Sequence, residues 1–373
     1  MNLESTGPVR SPLHYCHERA GARFAEFGGW LMPLDYAGSG VLAEHRAVRE
    51  AVGVFDVSHL GKVRVAGPGA KAWLDTMLTA DLGHATPGTA QYQLLCTEQG
   101  GVVDDLIAYP RADDEVLLIP NAANCASVAS ILAGSAPVGV QVCDEHERHA
   151  IIAVQGPASP ALMDALGLPA GLDYMSFTDA RLGDIDVTVC RSGYTGERGY
   201  ELVVDPGRAE SVWLAVFSAG ASLGARPCGL AARDTLRTEM GYALHGHELS
   251  SQIDPVSAGL SWAVGWEKPD FRGARALRRI RAEGPARRLR GLLAAGRGIP
   301  RPGMDCLAAG DKDGSRPIGR VTSGTFSPSL RTGIGLAFLD ASVTPGQHVG
   351  VLVRNRIEDF EVVKTPFRPS AVR

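Results

Sequence analysis

Apolar and polar residues alternate with the two-residue period of half-buried strands over many short stretches of the chain. The pattern predicts strands at 54–60, 62–66, 92–96, 102–109, 115–121 and 150–155, the last stopped by Gly156-Pro157, and two more between 187 and 204 across a glycine-rich connection. Apolar residues recur at helical spacing over 41–52, 70–78 and 159–166, with Gly53 as a C-terminal stop for the first helix. The mixture of glycine, proline and aromatics in Phe27-Gly28-Gly29-Trp30-Leu31-Met32-Pro33 predicts packed strand or loop, not helix. Strands 92–96, 102–109 and 115–121 follow one another through tight turns, which predicts an antiparallel sheet.

Gly100-Gly101-Val102-Val103-Asp104-Asp105-Leu106-Ile107 departs from this pattern, because two adjacent carboxylates occupy a strand. Asp is poorly suited to strands and costly to bury unless paired or hydrogen-bonded. Successive strand side chains point to opposite faces, so Asp104 and Asp105 diverge and do not form a shared-proton dyad. One then faces a cavity and the other a polar partner; the plainer alternative is a solvated pair leaving a Gly-Gly turn. In 187–204, Gly193, Gly196 and Gly199 allow close backbone approach to a ligand. Glu201 follows, with two acceptors side by side that match a planar pair of N–H donors such as a pterin edge; the alternative is a Glu on an edge strand. Arg233 and Arg237 stand four apart on a predicted helix, so either an anion lies between them or Asp234 and Glu239 pair with them.

With 373 residues, 45% hydrophobic and 21% charged, the chain has the composition of a globular protein with length for two or three domains. A net charge of −4 argues against a nucleic-acid binder held by phosphate contacts. Residues 1–4 do not begin a signal peptide, and no apolar run approaches the roughly 18 residues that cross a bilayer, so neither secretion nor membrane insertion is expected and the cytoplasm is the expected location. The seven cysteines are scattered singly, without the spacing of a metal or disulfide framework, and no metal is expected. Gly67-Pro68-Gly69-Ala70 superficially matches a dinucleotide fingerprint, but no acidic residue closes the following strand at the required spacing.

Taken together and in order, Phe55-Asp56-Val57-Ser58-His59, 100–107, Val154-Gln155-Gly156-Pro157, Gly193-Tyr194-Thr195-Gly196-Glu197 with Gly199-Tyr200-Glu201, 229–237, Ser323-Gly324-Thr325-Phe326-Ser327-Pro328 and Lys364-Thr365-Pro366-Phe367 resemble the T-protein (aminomethyltransferase) family of the glycine cleavage system, over about 11–367. The resemblance implies an α+β, three-lobed folate-binding fold. Two intertwined α+β lobes would occupy 1–285 and a C-terminal β-barrel 286–373, around a channel for tetrahydrofolate. It implies transfer of a methylene from the aminomethyl-dihydrolipoyl arm of the lipoylated H-protein to tetrahydrofolate, giving 5,10-methylenetetrahydrofolate and ammonia. By the same resemblance Asp104 is the expected catalytic carboxylate, beside the pterin nitrogen. Glu201 and Arg233 are expected to hold the folate, with Tyr92, Asn121, Leu60 and Trp262 lining the pocket. Leu60 stands where the family often has Met, and the family's Tyr near the C-terminus has no counterpart after Phe367. Two rivals share the fold: a demethylase module, which usually accompanies a flavin domain that this chain has no fingerprint for, and a folate-binding RNA-modification factor, marked by a Lys-Gly-Cys-Tyr-type motif that is absent.

Overall fold

The computed structural model describes residues 7–311, 314–354 and 356–373, so the expectation for residues 1–4 lies outside them. The chain builds three open sheets and a barrel. A six-stranded sheet contains Val52–Asp56, Ala150–Gln155, Phe177–Leu182, Ile185–Cys190, Gly199–Val204 and Ala225–Cys228. A five-stranded sheet contains Val63–Ala66, Gln91–Cys96, Val102–Ala112, Glu115–Ile119 and Gln141–Asp144. The chain enters the first sheet at Val52–Asp56, leaves to build the whole of the second, and returns at Ala150–Gln155, which is why the lobes are intertwined. Ala22–Phe27 and Trp30–Tyr36 form a hairpin beside them. Six strands from Arg287–Ala294 to Arg356–Val363 close the C-terminal barrel.

Apolar side chains from both large sheets meet between them, among them Phe55, Tyr109, Leu117 and Ile151, joined by Val57 from just past the strand Val52–Asp56 and Leu236 from the helix Leu230–Glu239. At about 1.5–3 kcal/mol for each large side chain removed from water, this shared core holds the sheets at a fixed distance and so defines the space between their ends.

Several local expectations are corrected. The helix is Gly40–Glu50, and Gly53 lies in the strand Val52–Asp56 instead of stopping the helix. A Cβ at Gly53 would fall 2.2 Å from the Val48 side chain and 2.9 Å from Cys228 Sγ, so the missing side chain lets the helix and a neighbouring strand pack on this one. Ser58 and His59 follow that strand in a turn and are fully buried. The His59 ring packs on Phe27, and burial pushes its pKa down to about 3, so it remains neutral. A short helix, His14–Arg19, forms where no periodicity announced one. The arginine-rich run 272–290, expected as helix with strands resuming at 289, is a helix only over Ala274–Glu283, and the strand that opens the barrel begins at Arg287.

Candidate functional site

The hairpin Gln91–Cys96/Val102–Ala112 turns through Gly100, at φ +90°, and Gly101, where a Cβ would lie 1.9 Å from the Ser251 carbonyl oxygen. Asp104, Leu106 and Ala108 point one way, Leu106 and Ala108 into the packing beneath the helix Cys125–Ala133; Asp105, Ile107 and Tyr109 point the other way, into a cavity of about 540 Å³.

The cavity lies where both large sheets, the helix Leu230–Glu239 and the barrel meet, the barrel contributing Leu289, Arg290 and Leu336. Of the seven residues expected from the sequence, Leu60, Tyr92, Asn121, Glu201, Arg233 and Trp262 all line it. Asp104 does not. Its carboxylate is 0% exposed, taking N–H bonds at Oδ2 from the Asn121 backbone (2.9 Å) and at Oδ1 from Asn121 Nδ2 (2.9 Å) and Asn124 Nδ2 (2.6 Å). The carboxylate on the wall is Asp105, which accepts from Tyr92 Oη (3.0 Å) at Oδ2 and from Asn121 Nδ2 (2.9 Å) at Oδ1. The divergence of the two side chains is as the alternation required, but which of them reaches the cavity is the reverse of the expectation. The Asn121 amide nevertheless touches both carboxylates, so the two are electrically coupled through one donor. Burial raises both carboxyls, and at Asp104 the charge of Asp105 adds to the rise; the Asn N–H bonds oppose it at Asp104, and Tyr92, Asn121 and His245 oppose it at Asp105.

Opposite the pair, Glu201 sits on Gly199–Val204, which is paired on both sides within the six-stranded sheet and is not an edge strand. Ser192 Oγ donates to Glu201 Oε2, which leaves acceptor capacity facing the cavity; burial raises this carboxyl, countered by Ser192 and by the Arg233 charge. The glycines of the preceding connection serve packing: a Cβ at Gly193 or Gly199 would strike the Gln155 side chain at 2.1 or 2.3 Å, and one at Gly196 would strike Met240. Gly193 also lines the cavity, so its backbone stands on the wall as well as packing on Gln155. The Arg233 guanidinium lies 4.4 Å from the centroid of Tyr194, a cation–π contact, and among the described residues it makes no ion pair. Burial pushes its pKa down, while Tyr194 and Glu201 favour its charge. Tyr92 stacks on Trp262 at 5.3 Å, and Trp262 stays 69% exposed at the mouth.

Tyr109, Tyr174, Ser192 and Tyr194 also line the cavity without having been assigned there. For Tyr194 a signal existed, a large aromatic between two glycines. Where a C-terminal tyrosine was missed, Thr365 lines the wall. The tail beyond it is tied across the glycine-rich connection by Arg368 Nη1 to Glu197 Oε1 (2.6 Å) and by Ala371 N–H to the Gly196 carbonyl (2.8 Å).

A larger groove of about 740 Å³ lies elsewhere, but its charged walls are paired with one another, Arg111 with Asp179, Arg64 with Glu145 and Arg181 with Asp186. Among the described residues, Cys125, Asp144 and His146 bring three groups of metal-ligating type within 4.8 Å of one another, and none of them lines the cavity. Burial pushes the Cys125 thiol up to about 12, which keeps it protonated beside Asp144.

Two intertwined α+β lobes and a barrel surround a cavity of carboxylates, tyrosines and two arginines, Arg233 and Arg290, that make no ion pair among the described residues, which defines a three-lobed, small-molecule-binding protein. Residues 13–268 match the GCVT N-terminal domain and residues 287–368 the glycine cleavage T-protein C-terminal barrel domain. The chain is 57% identical to an aminomethyltransferase of Parafrankia sp. (strain EAN1pec), over 98% of this chain and 99% of the relative. It is 52% identical to an aminomethyltransferase of Mycobacterium tuberculosis (strain ATCC 25618 / H37Rv), over 96% of each. The crystal structure of glycine cleavage system aminomethyltransferase T from Bartonella henselae superposes with a TM-score of 0.90 at 34% identity, covering 97% of this chain and 98% of that one. The chain belongs to the glycine cleavage T-protein family of aminomethyltransferases.

Proposed function

We propose that the protein transfers the methylene of the S-aminomethyl-dihydrolipoyl arm of H-protein to tetrahydrofolate in the cytoplasm, releasing ammonia and the dihydrolipoyl thiol. The observation that carries this reading is the cavity, where a half-buried carboxylate on one wall, Asp105, faces a second carboxylate and an arginine, Glu201 and Arg233, on the other. Tetrahydrofolate supplies the two nitrogens that take the carbon. The carbon exchanges its bonds to sulfur and to the amino nitrogen for bonds to those nitrogens, and their two hydrogens leave on ammonia and on the thiol.

The residues present suit this ligand. The free acceptors of Glu201 match the paired N–H donors of a pterin edge, and the aromatic faces of Tyr92, Tyr109 and Tyr194 line a slot for a flat ring. Asp105 takes the catalytic role that the resemblance put at Asp104. Its carboxylate orients the attacking nitrogen, accepts the hydrogen that nitrogen gives up, and stabilises positive charge developing at the carbon. Arg233 supplies donors to a polar or anionic part of the ligand. Trp262 and Tyr92, stacked at the mouth, flank the way in for a carrier arm.

The test is incubation of the protein with tetrahydrofolate and aminomethyl-loaded H-protein, following methylenetetrahydrofolate and ammonia. Formation of both in equal amounts is the expected result. Folate binding without turnover would move the protein to a non-transferase role on the same fold.

A further inference from the structure

We propose that Asp104 is a positioning residue for the transfer reaction: a fixed negative charge behind the cavity wall that keeps a proton on Asp105 until the ligand arrives. The proposal rests on the transferase reading above and adds a residue and a protonation state to it.

The argument is a count of donors and acceptors. Every partner that the structure gives the Asp104 carboxylate is an N–H group, two from Asn121 and one from Asn124. Both of its oxygens are already accepting, so a proton there would point at another donor. Asn124 stands at the N-cap position of the helix Cys125–Ala133 without capping it, its side-chain amide donating to Asp104 instead. Asp105 has a different neighbourhood. Its Oδ2 meets Tyr92 Oη, a hydroxyl that can accept a hydrogen as readily as it donates one. Its Oδ1 meets Asn121 Nδ2, whose two hydrogens are already spread over three oxygens: Asp104 Oδ1, Asp105 Oδ1 and the Asp105 carbonyl. The donor shortage thus falls on Asp105, where a proton relieves it.

The other titratable and charged groups that face Asp105 are Tyr92 on the paired strand, His245 from the segment after the helix Leu230–Glu239, and Tyr194, Glu201 and Arg233 on the cavity's other walls. None is a carboxylate on Asp105's own side of the cavity except Asp104. The two carboxyls titrate as a pair: burial and the neighbouring charge push Asp104 up to about 8 and burial raises Asp105, and the three N–H donors on Asp104 against two donors on Asp105 place the shared proton at Asp105. Removing the Asp104 charge therefore lowers the proton affinity of Asp105. Because Asp105 works as the acceptor, activity rises as it ionises, and the acid limb of the pH–rate profile marks that step.

The test compares pH–rate profiles of the wild type, Asp104→Asn and Asp104→Glu. We expect Asp104→Asn to move the acid limb to lower pH by about one unit, the size of a typical neighbouring-charge effect, and Asp104→Glu to restore it. A uniform loss of rate with the limb in place, or a limb moved upward, overturns the proposal. A wild type that binds folate without turnover overturns the transferase reading instead. A second measurement needs neither turnover nor the Asp104 variants: the infrared C=O stretch of a protonated carboxyl in the ligand-free protein at neutral pH. Tyr92→Phe removes the hydroxyl that Asp105 alone touches and is expected to shift that band. A band that Tyr92→Phe leaves in place belongs to a carboxyl other than Asp105, either Asp104 or the Glu201 that burial also raises, and the absence of any such band in the wild type leaves no proton on the pair; either result overturns the proposal.

Discussion

Arg233 and Arg237 stand one turn apart along one face of the helix Leu230–Glu239, and successive turns of that helix treat the same side chain in opposite ways. At the barrel, Arg237 is 1% exposed and fully answered: Nη1 pairs with Glu248 Oε2 at 3.0 Å, Nη2 with Asp234 Oδ1 at 2.7 Å, and Nη2 donates to Ser323 Oγ at 2.7 Å. Two residues further on, Glu239 is equally committed, to Arg49, to Ser327 Oγ and to Ser329 Oγ at 3.0 Å. The motif Ser323-Gly324-Thr325-Phe326-Ser327-Pro328-Ser329 is thereby accounted for: its hydroxyls dock the barrel on this helix. At the cavity, Arg233 has an aromatic face and no carboxylate partner within ion-pair distance. Buried charge that is completely paired holds the lobes together, while buried charge left short of partners is where a ligand completes the set.

That contrast can be broken by removing one charge at a time. The largest expected effect is on stability. Arg237→Ala strands Glu248 in the interior and should cost about 3–5 kcal/mol, read as a lower urea midpoint. Next comes Glu239. Burial alone would raise its carboxyl, but the adjacent His45 ring, Ser327 and Arg49 overcome that and hold it down at about 2. A depressed pKa stabilises the fold above the ordinary carboxyl range and loses that contribution as pH falls from about 4.5 towards 2. The wild type should therefore lose on the order of 2–3 kcal/mol in that window, and Glu239→Gln, less stable at neutral pH, should show a flatter acid slope in pH-dependent unfolding. Arg233→Met inverts the pattern: unfolding at or above the wild-type midpoint, because an unpaired buried charge is removed, but folate affinity about tenfold or more weaker, equivalent to roughly 1.5–3 kcal/mol for bonds to a charged donor. Equilibrium folate titration separates the two. The smallest effect is Leu60→Met, a volume-conserving change on the cavity wall that should alter folate affinity by less than about 1.5 kcal/mol.

Local pattern in the sequence revealed most of the strands, because a two-residue period is set by which face is buried. It did not reveal their neighbours. Val52–Asp56 pairs with Ala150–Gln155, almost a hundred residues later, and nothing within the intervening chain announces that return. The same limit explains Asp104. Alternation separates the two aspartates, but which parity faces the cavity is decided by the helix Cys125–Ala133 packing on one face of the strand. Glu201 resembled an edge residue for a related reason, since its second partner strand lies earlier in the chain. Gly53 resembled a helix stop because the residue type is common to both uses, and only the close approach of Val48 and Cys228 shows which one applies. Motifs in order gave the family; side-chain direction needed the fold.

The account's central claim is that Asp105, not the fully satisfied Asp104, is the carboxylate that acts on the ligand. Single-turnover transfer from loaded H-protein, at saturating tetrahydrofolate, tests it most directly in Asp105→Asn. The account predicts a loss of about a hundredfold or more in the transfer rate, roughly 2.7 kcal/mol of barrier, with folate still bound. A transfer rate within a few-fold of the wild type would contradict it.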